Sequence, residues 1–178
     1  MRIQSTPLMR IGPAFALKRI AALLWVILSA VSSAGTIEGR VVGVADGDTV
    51  TVLDASKVQH KIRLAGIDAP EKAQPFGNRS KQSLSDLVFG KSVMVETGKT
   101  DRYGREVGKI NVNGMDANLE QVKRGMAWHY KAYEREQSAS DRTAYGAAET
   151  EARAAKLGLW QDKEQMPPWQ WRKERRGG

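Results

Sequence analysis

The sequence predicts an α+β domain, mainly β, of five strands and three flanking helices, and three observations carry that reading. Short segments rich in β-branched residues run from Thr36 to Leu64 and return from Ser92 to Val112. Three other stretches place apolar residues at helical spacing, and turn residues such as Asp46-Gly47 and Asn113-Gly114 punctuate the strands. A chain of 178 residues is the size of one such domain.

The amino end precedes the domain. Residues 1–34 carry Arg2, Arg10, Lys18 and Arg19 without an acid, then the apolar run Ile20 to Val31 and the small residues Ser32, Ser33 and Ala34. This is the profile of a signal peptide cleaved after Ala34, and the run is shorter than the ~20 residues that span a bilayer. The expectation is an exported protein, periplasmic or extracellular, with a domain over 35–162 and a tail over 163–178. Half of the formal charge of +8 lies in the leader, so the mature chain is moderately basic. Such a charge is compatible with a polyanionic partner without selecting one. The absence of cysteine excludes disulfides, thiolate metal sites and a cysteine nucleophile.

Gly39 to Val44, Thr49 to Leu53 and Val58 to Leu64 read as an antiparallel meander, turned first at Asp46-Gly47 and then at Asp54 to Lys57. Ala69-Pro70 ends it, since proline cannot donate to the ladder, and loop follows to about Phe76. Between Asn78 and Phe89, Leu84, Leu87 and Val88 sit three and four apart, a helix stopped by Gly90. Ser92 to Thr97 and Glu106 to Val112 are strands joined by the polar loop Gly98 to Arg105. Asp116 caps a second helix that turns Leu119 and Val122 inward and stops at Gly125. A third runs from about Ser140 to Lys156 on a stripe of Ala144, Ala148, Ala152 and Ala155. This order fits an OB-type barrel, although periodicity alone leaves other α+β folds open.

The tail has no apolar period. Pro167-Pro168 is followed by Trp169 and Trp171, then Arg172, Lys173, Arg175 and Arg176, which together read as a mostly flexible basic end. It is either an accessory nucleic-acid contact or a solvated end whose tryptophans cover the domain.

Three clusters could carry chemistry. Asp46-Gly47-Asp48-Thr49 sets two carboxylates at a turn, oxygen ligands of the kind calcium and magnesium take, or partners for the turn backbone only. Arg63 to Glu71 brings a guanidinium, Asp68 and Glu71 to a strand end, where Arg63 is a phosphate ligand or an ion-pair partner for Asp68 or Glu71. Asp101-Arg102-Tyr103-Gly104-Arg105 adds a second arginine on a turning loop. His60, within a strand, and His129, between Trp128 and Tyr130, lack a neighbouring nucleophile and read as structural or surface residues.

Taken in order, Asp46-Gly47-Asp48-Thr49-Val50, Ile67-Asp68-Ala69-Pro70-Glu71 and Asp101-Arg102-Tyr103-Gly104-Arg105 resemble the three signature segments of the staphylococcal nuclease family. The resemblance runs from about Ile37 to Trp160 and takes in Gly125-Met126-Ala127 and Leu157-Gly158-Leu159-Trp160. It implies a five-stranded OB-fold barrel that hydrolyses DNA and RNA on the 5′ side of phosphorus, leaving 3′-phosphate ends, with one Ca2+. In that family pattern Asp48, Asp68 and the backbone carbonyl of Ala69 hold calcium, with Asp46 behind them. Arg63, Glu71 and Arg105 surround the phosphate, and Tyr130 and Tyr133 lie where a base stacks. Ala69 stands where the family often has threonine, and the loop after Glu71 is shorter than in its best-known member.

These residue types suit the reaction. Attack by water on an anionic phosphodiester builds negative charge, which a cation and two guanidinium groups offset. Arginine's planar fork holds two phosphate oxygens at once, and Glu71 is the candidate base for the water. Single-stranded DNA, RNA and duplex DNA are the expected substrates of a monomer without a stable protein partner. The reading from another class is a catalytically inactive OB-fold nucleic-acid-binding module, which would keep its ligand in the presence of a chelator.

Overall fold

A computed structural model describes residues 35–177. In chain order they form β1 (Gly35–Asp46), β2 (Thr49–Asp54), β3 (Gln59–Leu64), the two-residue β4 (Ile67–Asp68) and α1 (Gly77–Val88). There follow β5 (Ser92–Thr100), β6 (Glu106–Val112), β7 (Met115–Asp116), α2 (Ala117–Lys123), β8 (Trp128–His129), α3 (Ala139–Ala154) and α4 (Pro168–Glu174). The signal-peptide reading of 1–34 lies outside the described residues. No helix among those described is long and apolar enough to cross a membrane.

Alternation makes the barrel. Val50, Val52, Ile62, Leu64, Val93, Val95, Ile110 and Val112 each send a buried side chain to one interior, as every second residue of a strand does. Hydrogen bonding orders the strands β3-β2-β1-β5-β6, and a parallel pairing of β3 with β6 closes the ring, with Ile62 opposite Glu106 and Leu64 opposite Gly108. The result is the expected α+β architecture, a closed five-stranded mixed barrel of OB type. Closure matters for the site, because it sets the end of β3, which carries Arg63, beside the start of β6, which follows Arg105.

Leu84, Leu87 and Val88 of α1 seal the barrel core. At Gly47 a side chain would collide with Ser80 Oγ, so glycine lets α1 approach the β1–β2 turn. Asp116 caps α2 by accepting from Leu119 N at 3.0 Å, and its other oxygen accepts from Tyr145 Oη at 2.9 Å, which ties α3 to the same point. Burial and the neighbouring Asp116 carboxylate push the Tyr145 phenol well up, so it stays a donor.

The tail differs from the sequence expectation. It forms the helix α4, so the domain has a fourth helix where a mostly flexible end was expected. Proline at the first helical position is preorganised for the start of a helix. Seven residues cannot hold a helix in isolation, and the tertiary contacts that hold this one are invisible to periodicity. Pro168 is buried, and the Trp169 ring stacks on Tyr130 at 5.4 Å and 10° while meeting Trp128 edge-on at 5.7 Å.

His60 lies between Glu106 Oε1 at 2.9 Å and Asp54 Oδ2 at 3.2 Å, linking β3 to the strands on either side. The hydrogen bond to Glu106, then the one to Asp54, raises the imidazole above its usual 6.5. Stability from this triad is therefore full below pH 6.5 and is lost as pH rises through the higher folded value. Replacing His60 with glutamine should lower the melting temperature more at pH 6 than at pH 9, a difference that thermal scans at the two pH values would read. Among the described residues, neither His60 nor His129 lies beside a nucleophile; the His129 Nε2 pairs with Gln137 Oε1 at 2.8 Å.

Candidate active site

The β1–β2 turn, the end of β3, the Asp101–Arg105 loop and the chain after β8 surround a cleft of about 1210 Å³. Asp46, Asp48, Arg63, Asp68, Ala69, Glu71, Arg105, Tyr130 and Tyr133 all line it, so every residue that the family pattern assigns to the site reaches one opening.

Asp48 and Asp68 form its floor and are almost wholly buried. Asp48 does more than shape its turn: its Oδ2 accepts from Ala69 N at 2.7 Å and its Oδ1 from Thr49 Oγ1 at 3.1 Å. Asp46 caps the turn by accepting from Asp48 N at 3.1 Å. Burial first, and then the Asp48 charge, pushes the Asp46 carboxyl up to about 6. Burial likewise raises Asp68, opposed by hydrogen bonding from Arg172 and the charge of Arg63.

The turn is held from behind by buried amides. Gln121 Nε2 donates to Gly47 O at 2.9 Å, and Asn118 Nδ2 reaches Ala65 O at 3.0 Å and Gly108 O at 3.1 Å across the β3–β6 seam. Gln121 itself is steadied by Ser83 Oγ, 2.6 Å from its Oε1.

Arg63 resolves the alternative left by the sequence in favour of Asp68. Its Nη2 donates to Asp68 Oδ1 at 2.8 Å, and Nη1 donates to Ile67 O at 3.0 Å and Leu64 O at 3.1 Å while lying 3.1 Å from Asp48 Oδ2. Thus Arg63 fastens both buried carboxylates and the strand end to one planar group. Arg105 comes from the loop before β6, next to the end of β3. Its Nε and Nη2 hold Asp101 Oδ2 at 2.8 and 2.7 Å, and Nη1 reaches Thr49 Oγ1 at 3.3 Å. Burial disfavours the Asp101 charge, but the N–H of Arg105 and its guanidinium outweigh it and hold the carboxyl below its usual range.

Glu71 does not meet Arg63. Its Oε1 accepts from Arg172 Nη1 at 2.7 Å, and the same guanidinium spans Asp68, with Nη1 at 3.2 Å from Oδ1 and Nη2 at 2.7 Å from Oδ2. Burial disfavours the Arg172 charge, but Asp68 and Glu71 raise its pKa further still. Arg172 is the residue that sequence reasoning missed. The available signal was Trp169 three positions earlier, a spacing that sets an anchor and a guanidinium on one helix face.

Tyr130 and Tyr133 meet at 5.0 Å on the rim, and Tyr133 is exposed beneath Lys99 Nζ at 5.0 Å. Tyr130 is stacked on Trp169, so one of its faces is covered by the chain itself.

The donor set fits a hard divalent cation. Among the described residues no three His, Cys, Asp or Glu side chains converge as a ready-made cage. The ligands on offer are two carboxylates, Asp48 and Asp68, with a backbone carbonyl and water, all oxygen. Asp46, whose carboxyl is pushed up to about 6 by burial first and then by the Asp48 charge, stands behind them.

Comparison with known proteins extends the resemblance. A family profile described as staphylococcal nuclease homologue matches residues 61–162. That span contains Arg63, Asp68, Ala69, Glu71, Arg105, Tyr130 and Tyr133; the hairpin with Asp46 and Asp48 precedes it, and α4 follows it. An uncharacterized endonuclease of Haemophilus influenzae is 43% identical over 152 residues, 85% of this chain and 82% of the relative. Protein ParB of Escherichia coli is 40% identical over 169 residues, covering 90% and 93% of the two chains. A micrococcal nuclease of Shigella flexneri is 38% identical over 167 residues, covering 89% and 92%.

Proposed function

We propose, from the premise that this chain belongs to the staphylococcal nuclease family and is a nuclease, that it is an exported, calcium-dependent phosphodiesterase cleaving DNA and RNA to 3′-phosphate ends. The observation that carries the reading is the convergence of Arg63, Arg105 and Glu71 on one cleft floored by Asp48 and Asp68. The signal-peptide profile of 1–34 supports export.

Asp48, Asp68 and the carbonyl of Ala69 would hold the cation. Calcium, when bound there, would supply positive charge to a phosphate oxygen. The chain's own groups do the rest. Arg63 and Arg105, which line the same cleft, bind the phosphate and offset the charge that builds as phosphorus becomes five-coordinate. Glu71 orients the attacking water and takes its proton. The water oxygen bonds to phosphorus, the P–O5′ bond breaks, and the leaving 5′ oxygen takes a proton from solvent. The exposed Tyr133, with Tyr130 beside it, suits an unpaired base, which favours single-stranded DNA and RNA over an intact duplex.

The test is cleavage of single-stranded DNA with calcium and with excess chelator. The expected outcome is turnover that chelator abolishes and added calcium restores, with DNA binding retained under both conditions. Binding without turnover at any calcium concentration would instead establish a nucleic-acid-binding module.

A further inference from the structure

The base Glu71 needs a fixed carboxylate, and little near it in sequence supplies one. Its side chain is 40% exposed, and among the described residues Arg172 is the one side chain hydrogen-bonded to its carboxylate. The backbone is better held, since Gln74 N donates to Glu71 O at 2.8 Å and Glu71 N donates to Gln74 Oε1 at 3.1 Å. Gln74 also joins this loop to the tail, donating from Nε2 to Met166 O at 2.6 Å.

From there the tail is built to deliver one guanidinium. Pro168 is buried, Trp169 is wedged between Tyr130 and Trp128, and Arg172 follows one helical turn later. Its Nη1 bridges Asp68 Oδ1 and Glu71 Oε1, and its Nη2 grips Asp68 Oδ2. With Arg63 on the other side of Asp68, the row Arg63, Asp68, Arg172, Glu71 fixes the base against a buried carboxylate. A guanidinium shared between two carboxylates sets direction as well as charge.

We propose that Arg172 is a positioning residue for Glu71, so that the C-terminal helix α4, which lies beyond the family match, is a working part of the nuclease site. The inference rests on Glu71 acting on the attacking water. Arg172 holds that carboxylate in one orientation beside Asp68, and Trp169 acts through Arg172 by docking the helix. Loss of the guanidinium leaves Glu71 free to rotate, and a misplacement of about 1 Å can cost about 100-fold in rate.

The experiment compares Arg172→Ala, Trp169→Ala, Glu71→Gln and the double variant Glu71→Gln/Arg172→Ala at full length, reading kcat and KM on single-stranded DNA and the melting temperature. Arg172→Ala should lower kcat by about 10- to 100-fold with KM within about two-fold. Trp169→Ala, which touches no carboxylate, should lower kcat in the same direction and keeps the test open if Arg172→Ala fails to fold. In the Glu71→Gln background, removing Arg172 should cost less than about two-fold more, because the group it positions is already gone. A kcat loss of equal size in both backgrounds, or a rise in KM alone, would overturn the inference while leaving Glu71's role intact. An unchanged kcat in Glu71→Gln would instead remove the role of Glu71 on which it depends.

Discussion

Glu71→Gln should lower kcat by about 10² to 10⁴ while KM for DNA changes little. Glutamine keeps the length of the side chain and can still accept from Arg172 Nη1, now 2.7 Å from Glu71 Oε1, so the loop and the tail should stay docked. What it cannot do is take a proton. An interaction that matters only as the proton leaves the water appears in kcat and kcat/KM equally, which separates it from a loss of uniform binding. The expected loss corresponds to about 3 to 5 kcal/mol of transition-state stabilisation. Single-turnover cleavage at saturating calcium, alongside DNA binding in chelator, would measure it. A loss under about ten-fold would mean that the carboxylate orients the water without accepting its proton.

The outcome bears on how the site was legible in the sequence. Asp48, Asp68, Glu71 and Arg105 stand in three short segments whose order could be matched to a family, and Arg63 lies four residues before the second of them. The barrel then brings those segments to one cleft for reasons the strand pattern already contains. Partner choice within the cleft was another matter. Proximity in sequence left Arg63 equally able to meet Asp68 or Glu71. The folded chain decides for Asp68 because Ile67 and Asp68 pair with β8, which turns the Ile67 carbonyl and the Asp68 carboxylate to the same guanidinium. Glu71 finds its partner 101 residues away, a separation that no local pattern reports.

Two other features stayed hidden for related reasons. Asn118 and Gln121 look like ordinary polar residues of a short helix, yet both are fully buried and donate to backbone carbonyls of the site's own turns, Ala65 O and Gly47 O. A buried amide is tolerated only with such partners, and the partners belong to other elements. The tail was misread because seven residues give no period to recognise, whereas aromatic packing on Trp128 and Tyr130 gives them a place.

Arg63→Lys should cost about 10² to 10³ in kcat/KM and also lower stability, although the charge is unchanged. The two effects have one cause. Arg63 reaches Leu64 O, Ile67 O, Asp68 Oδ1 and Asp48 Oδ2 from two nitrogens at 2.8 to 3.1 Å, in a geometry fixed by the plane of the guanidinium. A lysine ammonium is a single point with three rotating donors, so reaching one carboxylate draws it away from the other and from the phosphate. Asp68 is buried and keeps Arg172, but Asp48 has no second arginine among the described residues, so it bears most of the loss. Breaking a buried pair outright costs about 3 to 5 kcal/mol, and lysine, which keeps the charge nearby, should cost less than that. Denaturant titration of Arg63→Lys beside Arg63→Met would measure the structural share, and kcat/KM measured well below the denaturation midpoint would measure the catalytic one. If lysine restored wild-type turnover while the midpoint stayed low, Arg63 would be a clamp for the acidic floor alone, and Arg105 would be the guanidinium that binds the phosphate.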